Sequence, residues 1–84
     1  GYVIHSAIHA ARADAGWIMH THTTTGMAVA CLEEGLMQMN FYSAFFHDMI
    51  AYHDFEGLTT RLDERERLVA SLGDKDLLIL RNHG

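Results

Sequence analysis

Apolar residues near the start of the chain recur at three- and four-residue intervals: Ile4, Ala7, Ile8 and Ala11. That is the spacing of one helix face and predicts a helix over residues 2–14. Asp14 to Gly16 interrupts it. From Trp17 to His22 the pattern becomes an alternation, which predicts a strand with Trp17, Met19 and Thr21 on one face and Ile18, His20 and His22 on the other. Thr24 or Thr25 can cap a second helix over 26–34, with Gly35 placed just beyond its end. A short strand from Leu36 to Met39, an irregular aromatic stretch over 40–46 and a strand from Met49 to His53 follow. Asp63-Glu-Arg-Glu66 has the spacing of a capping box, and Leu62, Leu68, Val69 and Leu72 give the next helix an apolar stripe. Gly73 ends that helix. Asp76 to Arg81 is a short apolar run, predicted as a buried strand that delivers Asn82-His83-Gly84. Helices alternate with strands, so the class is α/β or α+β.

Composition changes the picture in two ways. The chain has 84 residues and is 49% hydrophobic, a large apolar share for so short a length. A domain of this size buries only about 60% of its unfolded surface, so covering surface from elsewhere is expected. The 84 residues therefore read as the central part of a larger domain, truncated at both ends, or as a tight oligomer. The net charge of −5, with Arg61, Arg65 and Arg67 interleaved with Asp63, Glu64 and Glu66, excludes a nonspecific nucleic-acid surface. No apolar run approaches the ~20 residues that span a bilayer. The single Cys31 lies in an apolar run, reads as core filler and fits a reducing, cytoplasmic setting.

The candidate chemistry lies in the histidines. His20 and His22, on one face of a strand, stand about 6 to 7 Å apart at the backbone and can grip one divalent ion from the same side. On a helix the pair would point about 200° apart. His83 follows 61 positions after His22, yet repeats the arrangement of an apolar run ending in a histidine beside small or polar residues. Strands ending side by side would collect three imidazoles with a fourth position open, a donor set found in catalytic zinc sites. The other four read more plainly. His5 and His9 are helix histidines, one part-buried and one at the surface. His47 and His53, beside Asp48 and Asp54, are polar residues near turns.

Taken together, His20-Thr-His22 before a small-residue helix, Ala51-Tyr-His-Asp54, Leu78-Ile-Leu-Arg-Asn-His-Gly84 and Val3-Ile-His-Ser-Ala-Ile-His-Ala-Ala-Arg12 resemble the class II aldolase/adducin family. The resemblance implies a three-layer α/β/α domain around a mostly antiparallel sheet. It implies a divalent metal held by His20, His22 and His83, zinc first, with iron or manganese as alternatives. It implies a homo-oligomer, a tetramer by family habit, acting on a small-molecule substrate. Family enzymes include fuculose-phosphate aldolase and ribulose-phosphate 4-epimerase. The sequence departs from the aldolases at one point: their acid/base glutamate falls nineteen residues before the first metal histidine, where this chain has Gly1. Two functions follow. One is a metal-dependent lyase, working by aldol cleavage or decarboxylation. The other is an adducin-like interaction domain without chemistry.

Overall fold

The computed structural model describes residues 1–57 and 63–84. Helix α1 (Tyr2–Ala11) opens the chain, followed by α2 (Thr24–Ala30) and the one-turn helix α3 (Phe41–Ala44). Strand β1 (Ile50–His53), helix α4 (Glu64–Leu72) and strand β2 (Leu77–Leu80) complete it.

α1 buries Val3, Ile4, Ala7 and Ile8, the face its periodicity marks. It ends at Ala11, three residues before the predicted limit, because Arg12 turns extended. The Arg12 guanidinium is held at 2.7 Å from Asp14 and 3.0 Å from Asp76, and it donates to the Lys75 carbonyl at 2.6 Å. The helix end is thereby tied to the α4–β2 turn. The three contacts come from one planar fork of donors, which a lysine could not reproduce.

β1 and β2 pair in parallel, with Ile50 opposite Leu77 and His53 opposite Leu80. The mostly antiparallel sheet expected from the family resemblance is corrected here: the sheet of the described residues has two parallel strands. The connection explains the direction, because β1 returns to β2 through α4, and a helical crossover brings the next strand back parallel. The strand predicted over Trp17 to His22 has no ladder partner among the described residues and is irregular backbone. Burial alternates over its first four residues, with Trp17 and Met19 exposed and Ile18 and His20 half-buried, while Thr21 and His22 are both exposed. The strand predicted over Leu36 to Met39 is likewise irregular. The aromatic stretch after it, expected to be irregular, contains α3. There Asn40 Oδ1 accepts from the Ser43 amide at 3.0 Å and Ser43 Oγ accepts from the Asn40 amide at 3.1 Å, a reciprocal cap.

The core joins α1, α4 and β2: Ile4, Ile8, Leu68, Leu72 and Leu80 pack together, with Ala15, Ile18 and Leu78 at its edge. Leu68 is fully buried at the centre. Leu62, expected on the same stripe, lies outside the described residues. The expected capping box on α4 does not form, since the Asp63 side chain makes no cap hydrogen bond and lies 4.0 Å from Arg67. Cys31 is exposed rather than core, because α2 buries only Ala30 and Cys31 falls at its open end. Trp17, Met19, Met39, Phe41, Tyr42 and Phe45 are among the large apolar side chains left exposed. Among the described residues no helix is long and apolar enough to cross a membrane.

Leu68→Ala in the intact protein is expected to lower the unfolding free energy by about 2 to 5 kcal/mol, the range for a leucine removed from a closed core. Met39→Ala, at an exposed site, should stay within about 0.5 kcal/mol of wild type. Urea unfolding of both variants checks the ranking.

Candidate metal centre

His20 and His22 stand on the irregular segment between α1 and α2. Ile18 packs against the core and fixes the direction in which its same-side neighbours His20 and His22 point. Immediately after His22, Thr23 caps α2: its hydroxyl accepts from the Gly26 amide at 3.1 Å. The cap is Thr23, not Thr24 or Thr25 as the sequence suggested. Gly26 is part of the device, because a Cβ there would sit 2.8 Å from the Thr23 hydroxyl.

His83 comes from the turn after β2. The Leu80 amide donates to the Gly84 carbonyl at 2.7 Å, and the Gly84 amide donates back to the Leu80 carbonyl at 3.0 Å. Asn82 takes φ 60, in the left-handed region that asparagine tolerates better than most residues. Its amide donates to the Ala30 carbonyl at 2.8 Å. Arg81 donates to the Leu32 and Glu33 carbonyls at 3.3 and 3.0 Å and lies over the Tyr52 ring, 4.7 Å from its centre. Carbonyls at and just beyond the end of α2 (Ala30, Leu32 and Glu33) thus fasten the turn that carries His83 to the helix that follows the His20–His22 pair.

The structure brings the three predicted histidines together. His20 Nε2 lies 2.8 Å from His22 Nε2 and 3.3 Å from His83 Nε2. The ring centres are 4.7 to 4.8 Å apart, and the planes cross at 67 to 89°. A tetrahedral ion bound at ~2.0 to 2.1 Å needs donor nitrogens about 3.3 Å apart, so the cluster fits such an ion with small movements. Burial, then the charges of His83 and His22, hold the His20 imidazole below its usual pKa. Burial, then the charge of His22, does the same for His83. Both shifts favour the neutral form, the form that ligates.

Gly84 makes this convergence possible. A Cβ on it would lie 2.5 Å from the Thr21 carbonyl oxygen and 3.1 Å from the His22 ring. No other residue would let the exit of β2 pass so close to the histidine segment.

Gly1 caps α1 with its carbonyl, which accepts from the His5 amide at 3.0 Å, and it offers no side-chain carboxylate. His5 Nδ1 also lies 2.9 Å from that carbonyl, and His9 Nδ1 lies 3.1 Å from the Ala15 carbonyl. His47 is exposed beside Asp48. These three stay apart from the triad. His53, expected near a turn, is instead buried within β1 beside Glu56 and Glu64, a second grouping of donor side chains that the sequence reading missed. Its one local signal was the His-x-x-Glu spacing from His53 to Glu56; Glu64 gave none, since an acidic residue in a first helical turn is normally solvated.

All 84 residues match the family described as Class II Aldolase and Adducin N-terminal domain. The chain is 52% identical over its whole length to a putative aldolase class 2 protein of Caulobacter vibrioides, of which it covers 33%. It is 41% identical to mouse (Mus musculus) alpha-adducin over 85 aligned positions, covering 11% of that protein. The crystal structure of an aldolase II superfamily protein from Pseudomonas syringae superposes with a TM-score of 0.96 at 56% identity, over 100% of this chain and 34% of that one. The chain thus spans about a third of the bacterial relatives it matches.

Gly84→Ala in the intact protein is expected to part His83 from the other two histidines and weaken zinc binding at least tenfold, as supporting-residue changes do at metal sites. Competition with a chromophoric chelator measures it. Zinc affinity equal to wild type would show that the approach at Gly84 does not matter.

Proposed function

Because the chain belongs to the class II aldolase and adducin N-terminal domain family, we propose that the whole protein is a divalent-metal-dependent lyase acting on a small hydroxy-carbonyl substrate. The observation that carries this reading is the convergence of His20, His22 and His83 on one point through their Nε2 atoms. A purely structural histidine cluster gains nothing from three mutually facing lone pairs. Three neutral nitrogen donors with an open fourth position fit zinc first, and iron(II) or manganese(II) as alternatives.

A divalent ion held there supplies Lewis-acid stabilisation of the negative charge that develops on a substrate oxygen as a carbon–carbon bond breaks. The chain's own contribution is coordination without charge. Neutral imidazoles leave the ion its full positive charge, and the low imidazole pKa values of His20 and His83 keep them in that state. Gly1 supplies no proton-transfer group. Decarboxylation needs no base to begin, whereas aldol cleavage needs a proton taken from a substrate hydroxyl, so the glycine favours decarboxylation within the lyase class. The same glycine and the 41% identity to alpha-adducin support a second reading, an interaction domain that keeps the fold without turnover. The exposed aromatic and methionine side chains support assembly into a homo-oligomer under either reading.

The intact protein should retain zinc after purification, and His22→Ala should lose the equivalent that the triad holds. Reconstituted protein should cleave ketose phosphates slowly, by about 10²- to 10⁴-fold against an enzyme with a placed acid/base group. Gly1→Glu should leave the metal content unchanged. Stoichiometric metal with turnover of a hydroxy or keto acid supports the lyase. Absence of retained metal in the wild-type protein would leave the interaction domain as the better reading.

A further inference from the structure

Where β1 ends and α4 begins, the structure gathers a second set of donors. Glu64, the first residue of α4, is only 3% exposed, and its Oε2 has no hydrogen-bond partner among the described residues. An unpartnered carboxylate oxygen in so dry a place is costly and uncommon in folded proteins. His53 is 6% exposed. Its Nδ1 lies 2.8 Å from the Ser71 hydroxyl, which also lies 3.0 Å from the Arg67 carbonyl. His53 Nε2 faces Glu56 Oε2 at 3.0 Å. The donor atoms of His53, Glu56 and Glu64 all lie within 4.8 Å of one another.

We propose that His53, Glu56 and Glu64 form a second cation site, separate from the histidine triad, that takes a first-row divalent transition ion. A proton on His53 Nε2 would answer Glu56 but leave the Glu64 oxygen unpartnered. A divalent ion answers all three side chains at once. The mixed nitrogen and carboxylate donor set suits manganese(II) or zinc, whereas magnesium and calcium favour oxygen alone. Arg67 donates to both oxygens of Glu56 at 2.6 to 3.1 Å and keeps that carboxylate turned toward the site. Ser71 does the same for the imidazole, in the manner of the outer partners that orient metal-binding histidines. The site lies one backbone step from the turn that carries His83, because the His53 carbonyl accepts from the Arg81 amide at 2.9 Å.

The test is a metal count on the intact protein, stripped with chelator and titrated with manganese(II), read by paramagnetic resonance and elemental mass spectrometry. The wild type is expected to bind about two equivalents per chain, and Glu64→Gln about one. His22→Ala is expected to retain the equivalent that Glu64→Gln loses, which separates this site from the triad whatever the triad binds. A wild-type count that Glu64→Gln leaves unchanged overturns the proposal. If Glu64→Gln fails to fold, the wild-type protein with His22→Ala decides alone: an equivalent retained supports the site, and none overturns it.

Discussion

The close approach of two backbone segments governs the rest of the site. The exit of β2 runs against the Thr21 carbonyl with no room for a Cβ at Gly84. This contact sets the distance between the His20–His22 segment and His83, and so whether three imidazoles can share one point. The reciprocal Leu80–Gly84 hydrogen bonds lock the turn in shape before any ligand is considered. A site built on backbone closure of this kind is preorganised, and an ion entering it needs little rearrangement.

The turn cannot hold itself in place; α2 holds it. The helix follows its cap Thr23, directly behind His22, and its last residue, Ala30, accepts from the Asn82 amide, while the Leu32 and Glu33 carbonyls just beyond accept from Arg81. One short helix therefore links both halves of the triad. The core beneath has a different role. Ile18 packs with the α1–α4–β2 cluster and orients the histidine segment, while Leu80 anchors the other end. Apolar burial positions the two chain segments, and directed hydrogen bonds set the final approach.

The clustering of the three histidines was more legible in the sequence than the fold. His20, His22 and His83 were marked by residue type and by the repeated pairing of an apolar run with a terminal histidine, and they meet although the strand assumed for His20 and His22 is irregular backbone. The periodicity of α1 and the strands around Ile50 and Leu77 were also readable, because local pattern decides them. The Trp17 to His22 segment has strand-like alternation but no neighbour to pair with among the described residues, and pairing is invisible in a local pattern. Strand direction was missed for the same reason: it depends on the crossover through α4. The capping of α3 by Asn40 and Ser43 was masked by the aromatic residues around it, and the burial of His53 and Glu64 arises only once α4 packs on β1. Residues whose role is set by distant packing carry no local mark.

The central claim is that the three Nε2 atoms share one ion. A crystal of the intact protein soaked in zinc, with anomalous diffraction collected on both sides of the zinc edge, tests it directly. The account predicts a strong anomalous peak at about 2.0 to 2.1 Å from Nε2 of His20, His22 and His83 together. An ordered triad with no peak between the rings, or a peak held by only one of them, would contradict it.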